Sequence, residues 1–332
     1  MNRPGFEITA ATLLAASTGM AMFNLNWTGR HAMPTPVAGG AAGFVGERLV
    51  YAGGTTWKNG VKQWLRDVQL YDPKKDFWTP GPALPRPFGY GTCARSGQAI
   101  EILGGSDGDA TYRDCWRLTA GAQSWQSSGT APGDTLLGRA AVVGGRTYLF
   151  GGCSDVADLS RCSDAVYRRE PEGEWQRIST LPHGAVAMPA AAVAGGRIYL
   201  FGGCSMPAPG NLVNRDDALS FDPATGGWRR LRSLPSANRG ISAAVVDDRY
   251  IVLYGGYTAT QQQAAGKPAG FGFTASVLIY DVAADSYHEA APAPEAAAGV
   301  EILYHGGAIF AAGGEQRMRE RSDRLSAAVI SH

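Results

Sequence analysis

Gly195-Gly196-Arg197-Ile198-Tyr199-Leu200-Phe201-Gly202-Gly203 sets two glycine pairs around a single apolar run. The first pair suits a hairpin turn that needs positive φ, and the β-branched and aromatic residues after it favour extended chain. The same phrase recurs. Six glycine pairs follow short apolar runs, at Gly53-Gly54, Gly104-Gly105, Gly151-Gly152, Gly202-Gly203, Gly255-Gly256 and Gly313-Gly314, spaced 51, 47, 51, 53 and 58 residues apart. The runs include Arg48–Tyr51, Thr147–Phe150 and Ile251–Tyr254, and the turns before the runs include Gly144-Gly145, Asp247-Asp248 and Gly306-Gly307. Two registers of turn residues kept in phase at a period near 50 indicate one repeated supersecondary unit.

Each pair is followed by a variable loop, a third strand (Asp67–Tyr71, Asp164–Tyr167, Ala218–Phe221, Val277–Tyr280) and a fourth marked by Trp78, Trp125, Trp175, Trp228 or Tyr287. Leu-Pro follows at Leu84-Pro85, Leu181-Pro182 and Leu234-Pro235. These features resemble the kelch repeat, and the fold expected is all-β: a six-bladed kelch β-propeller over residues 24–332 with almost no helix. The aromatic markers are expected to pack between blades. Five markers serve six glycine pairs, and the chain ends on Arg324–Ile330, a third strand with no fourth after it. Asn24–Trp27 reads as the missing fourth strand, so an N-terminal strand should close the last blade and leave no open sheet edge.

Residues 1–23 stand apart. Ile8–Met22 is apolar and rich in small residues, with Arg3 before it and Gly19-Met20-Ala21 as a cleavage-like site, although Glu7 offsets Arg3. This segment reads as a signal peptide or as a disordered tail, placing the protein in the periplasm or outside the cell in the first case and in the cytoplasm in the second. A formal net charge of +1 gives no electrostatic footprint for nucleic acid or an anionic membrane, and no run of 18 apolar residues would span a bilayer. Cys153 and Cys162 bracket one loop and would pair in an oxidising compartment. Cys93 and Cys115 fall on non-adjacent strands of one blade and would not pair. No His/Cys spacing suggests zinc and no acidic cluster suggests calcium, so neither metal nor cofactor is expected.

Loops after the second strand and loops leading into each inner strand share one face, where chemistry is expected. The longest are Thr55–Arg66, Ser154–Ser163, Ser205–Asp216 and Tyr257–Ala275; the last, with Phe271 and Phe273, has the make-up of a lid. After the glycine pairs come Thr55, Ser106, Cys153, Cys204, Tyr257 and Glu315, so Glu315 is the one charge in that register, followed by Arg317, Arg319 and Arg321. Trp27 to the C-terminus, through Ala52-Gly-Gly54, Trp64–Asp67, Leu84–Tyr90 and Gly104–Asp107, is similar to the bacterial N-acetylneuraminate epimerases (sialic acid mutarotases). That resemblance implies a six-bladed propeller with a Gly-Glu followed six residues later by Arg and then Ser or Thr, a pattern that Glu315 and Arg321-Ser322 fit.

The activity implied is interconversion of sugar anomers by ring opening and closing, which needs a base and an acid. Glu315 would be the base and Arg321 the anchor for the substrate carboxylate, with Arg139 and Arg239 adding positive potential and His183 as proton-transfer partner. His288 and His305 fall away from this face. The partner expected is a small acidic sugar, with a homodimer admitted. The alternative is a non-catalytic module that binds carbohydrate or protein. A lyase or hydrolase would need a second carboxylate across the channel, for which Asp107 and Asp155 are the candidates.

Overall fold

The computed structural model describes residues 23–331 apart from 134, 172 and 209. Of the segment read as a signal or tail, 1–23, residues 1–22 lie outside the described residues, and its last residue, Phe23, is buried against Tyr250.

Six antiparallel four-stranded sheets stand around one axis. The first is Ala41–Val45, Arg48–Ala52, Val68–Asp72 and Phe77–Pro80; the next four follow the same meander. In the sixth, Glu301–His305, Ala308–Ala312 and Leu325–Ser331 are completed by Asn24–Gly29, with Trp27 opposite Ala328 and Leu25 opposite Ile330. The ring is therefore closed by a strand from the other end of the chain. Helix amounts to Gln261–Ala264 and a 3-10 turn at Leu159–Arg161 among the described residues.

The glycine pairs explain why the repeat is so regular. Gly202 and Gly203 have φ of +61° and +97°, a region closed to most side chains. A Cβ on Gly202 would sit 2.5 Å from the Asn238 carbonyl oxygen, while Gly203 N–H donates to that same oxygen at 2.7 Å. Each pair thus docks edge-on to the loop leading into the next blade. The last pair repeats the contact across the closure, where Gly314 N–H donates to Val37 O at 2.9 Å. The second blade departs: Thr135 Oγ1 occupies the space beside Gly104.

Four of the five outer aromatic markers latch neighbouring blades, as the pattern predicts; the fifth, Trp175, instead lies against Arg169 of its own blade, its indole N–H without a partner. Indole N–H groups of Trp78, Trp125 and Trp228 donate to His31 O, Pro82 O and Ser179 Oγ, and the Tyr287 hydroxyl donates to Arg232 O, all at 2.8–3.2 Å. Each acceptor belongs to the preceding blade's outer edge. Between blades lie buried apolar clusters, such as Tyr51, Tyr71 and Trp78 with Phe310, which supply the burial that holds the ring.

Candidate functional site

The chain enters each inner strand through one residue of left-handed backbone: Gly39, Tyr90, Leu137, Met188, Gly240 and Gly299, with φ between +54° and +71°. Five main-chain hydrogen bonds join these six residues around the axis. They run from Tyr90 N to Gly39 O, Leu137 N to Tyr90 O, Met188 N to Leu137 O, Gly240 N to Met188 O and Gly299 N to Gly240 O, at 2.7–3.1 Å. Glycine carries this conformation without penalty. Tyrosine, leucine and methionine pay about 1–3 kcal/mol each, so the rim holds those three side chains in strained positions.

The rim surrounds a cavity of about 330 Å³ at the axis, of a size for a small ligand. Four arginines (Arg95, Arg139, Arg239, Arg321) and two glutamates (Glu301, Glu315) line it, leaving two positive charges in excess. Tyr257 and Phe273 meet edge to face at 5.0 Å on one side of the mouth.

Glu315 opens a short hairpin, Glu315–Arg317 with Glu320–Arg321, whose register sets Glu315 opposite Arg321. The six-residue spacing is thus a hairpin constraint. Arg321 Nη1 lies 2.6 Å from Glu315 Oε1, and the Arg319 backbone N–H donates to the same oxygen at 2.8 Å. Arg321 Nη2 donates to Thr55 Oγ1 and to the Tyr90 hydroxyl, both at 3.2 Å. Its side chain is only 5% exposed and meets these partners through its two terminal nitrogens, while its buried Nε has no hydrogen-bond partner; Glu315 is 28% exposed. Arg321 thus lines the cavity as the ion-pair partner of Glu315.

Arg139 and Arg239 both border the cavity and neither makes an ion pair with a carboxylate among the described residues. Arg139 donates to the carbonyl oxygen of Gly138 at 3.0 Å. Arg239 donates to Asn214 Oδ1 and stacks over Tyr257 at 4.3 Å. Burial lowers both guanidinium pKa values, a cost that an anion in the cavity would relieve; Glu301 partly opposes it at Arg139.

His183 is not brought to this cavity. Its Nδ1 faces Asp217 Oδ1 at 3.6 Å in a separate crevice with Leu181 and Arg215. The reason is chain travel: the loop reaches the glycine dock at Val186 and the rim only at Met188, so His183 stays over the body of the blade. The expectation that it reaches the channel is corrected. Asp107 and Asp155 are also elsewhere, the first held by Arg86 at 3.0 Å and the second accepting from Ala157 N.

The second cavity carboxylate is Glu301, which sequence reasoning passed over. Arg95 crosses from the second blade to pair with it, its side chain running past Gly43 and donating to Ala42 O. A Cβ at 43 would clash with Ile100 Cγ2 and come within 3.4 Å of Arg95 Cγ. Burial works against the Arg95 charge, but Glu301 outweighs it and the pKa rises. Tyr90 and Cys93 were missed as well; burial pushes the Cys93 thiol up to about 11. The available signal was position, since Glu301 and Arg139 each begin an inner strand.

Of the long loops, Thr55–Lys58 and Val61–Trp64 form a hairpin beside Tyr90, and Cys153 and Cys162 are joined as a disulfide. Cys93, Cys115 and Cys204 are free. The 257–275 loop turns Phe273 into the cavity while Phe271 faces out, and Met318 N donates to Ala269 O, tying the loop to the Glu315 hairpin.

Residues 185–235 match the family model described as Kelch motif. The chain is a kelch-motif β-propeller. It is similar to the N-acetylneuraminate epimerase of Yersinia enterocolitica, 26% identical over 211 residues, covering 53% of this chain and 53% of that protein. It is similar to the Haemophilus influenzae (strain PittEE) protein of the same name, 29% identical over 122 residues, 36% of this chain and 30% of that one. Human Kelch-like protein 34 is 25% identical over 255 residues, 70% of this chain and 37% of its own length. The propeller thus spans about half or less of the curated relatives it matches, and its homology to the epimerases is distant.

Proposed function

We propose that the propeller binds a carboxylated monosaccharide at the channel mouth and interconverts its anomers, as a cofactor-independent mutarotase of the sialic acid type. The observation that carries this reading is the Glu315–Arg321 pair at 2.6 Å inside a cavity with excess positive charge. Arg139 and Arg239 anchor the substrate carboxylate, since no protein carboxylate pairs with them among the described residues. Glu315 takes the proton of the anomeric hydroxyl, held in place by Arg321 and the Arg319 N–H. Two distant relatives named N-acetylneuraminate epimerase make that sugar the first to test.

The test is exchange of N-acetylneuraminate anomers followed by proton NMR. The protein should accelerate it, and Glu315→Gln should lower the rate by about 10²–10⁴-fold, the usual contribution of a positioned acid or base. Arg139→Met with Arg239→Met should weaken carboxylated sugars and spare neutral ones. A non-catalytic sugar-binding module is the second reading, favoured by the Tyr257–Phe273 pair at the mouth. Binding without faster exchange would select it.

A further inference from the structure

Anomer exchange needs an acid for the ring oxygen as well as a base, and His183 lines a separate crevice rather than the cavity. We infer that Tyr90 is that acid and that Arg321 is the bridge joining it to Glu315; the inference rests on the mutarotase reading. Tyr90 lines the cavity and belongs to the strained rim, with φ of +60°. Its hydroxyl accepts from Arg321 Nη2 at 3.2 Å and lies 3.3 Å from Thr55 Oγ1. The ring is fixed by Trp64, edge to face at 5.4 Å, and by the Lys62 ammonium 4.4 Å from its centroid. A bulky aromatic kept in left-handed backbone, with its polar tip on the guanidinium that holds the base, is a strained placement.

The proton balance closes without a co-reactant. Glu315 removes the anomeric hydroxyl proton, that oxygen's electron pair forms the carbonyl, and the ring C–O bond breaks. The departing ring oxygen takes the Tyr90 proton. Negative charge has then moved from Glu315 to the Tyr90 oxygen, while Arg321 touches both groups throughout, one through Nη1 and the other through Nη2. The charge of the three groups together is unchanged, and a fixed donor serves both ends of the transfer, which is electrostatic preorganisation in the sense of an oxyanion site. Ring closure on the other carbonyl face returns both protons. Arg321 is a positioning residue in this scheme.

The test is Tyr90→Phe in the full chain, which keeps the ring against Trp64 and Lys62. With N-acetylneuraminate, kcat should fall by about 10²–10³-fold while KM stays within about threefold. The groups facing the Tyr90 hydroxyl are Arg321, Thr55 and, over the ring, Lys62, with Glu315 beyond Arg321. A Tyr90→Phe rate within about threefold of wild type overturns the inference and leaves the mutarotase reading standing. A slower variant whose KM rises by more than about tenfold overturns proton donation in favour of substrate positioning. A wild-type protein that does not accelerate exchange overturns the inference together with the reading beneath it.

Discussion

Replacing Glu315 by glutamine and Arg321 by methionine should destabilise the propeller unequally, with the glutamate change costing more. Arg321 is 5% exposed, so Glu315→Gln leaves a guanidinium away from water with only neutral acceptors on Thr55 and Tyr90. Breaking a buried pair from this side costs about 3 kcal/mol. Glu315 is 28% exposed and keeps the Arg319 N–H at 2.8 Å, so Arg321→Met leaves a carboxylate that water can reach, at about 1–2 kcal/mol. Unfolding entropy near 2.1 cal/mol/K per residue over roughly 300 residues gives about 1.5 °C per kcal/mol. The expected falls in Tm are therefore about 5 °C and about 2 °C. The double variant, with neither member of the pair charged, should fall by less than the sum, giving a coupling energy of about 2 kcal/mol. Reversible calorimetry or denaturant titration at fixed ionic strength measures all three. Equal costs, the reverse order or strict additivity would refute the claim that Arg321 is the desolvated partner.

Two further outcomes follow from the fold and the cavity. Leu25, 3% exposed in the closing strand, should cost about 2–5 kcal/mol when changed to alanine, seen as a fall in Tm of about 3–8 °C; an unchanged Tm would mean that the N-terminal strand does not hold the ring closed. Cys93 borders the cavity, yet burial raises its pKa to about 11, so alkylation by iodoacetamide should be slow at pH 7.5 and quicken as pH approaches 11. Fast labelling at pH 7.5 would refute its desolvation.

The blades were legible because each depends on local chemistry. Turn glycines, five-residue apolar runs and a trailing aromatic state a hairpin, a strand pair and a latch within about 50 residues. Even the long-range closure could be read, since a missing fourth strand at one end and a surplus one at the other leave a single pairing that removes both edges. The Cys153–Cys162 link was legible for the same reason, as the two residues bracket one loop. The Glu315–Arg321 pair was readable because both residues lie on one hairpin.

The rest of the cavity joins residues that sequence distance hides. Arg95 and Glu301 are 206 positions apart, and Arg321 and Tyr90 are 231 apart, so no spacing announces either contact. His183 shows the converse: it lies on the expected face, but where along the radius a loop residue falls depends on how far the chain has travelled toward the rim. Sequence by itself determined the repeat, the number of blades, their closure and one carboxylate–arginine hairpin, because turn conformation and strand pattern are local properties. Only the tertiary structure decided which side chains converge on the axis, which of the described arginines lack a carboxylate partner and which tyrosine meets Arg321. Those facts arise only when six separate loops are brought to one point.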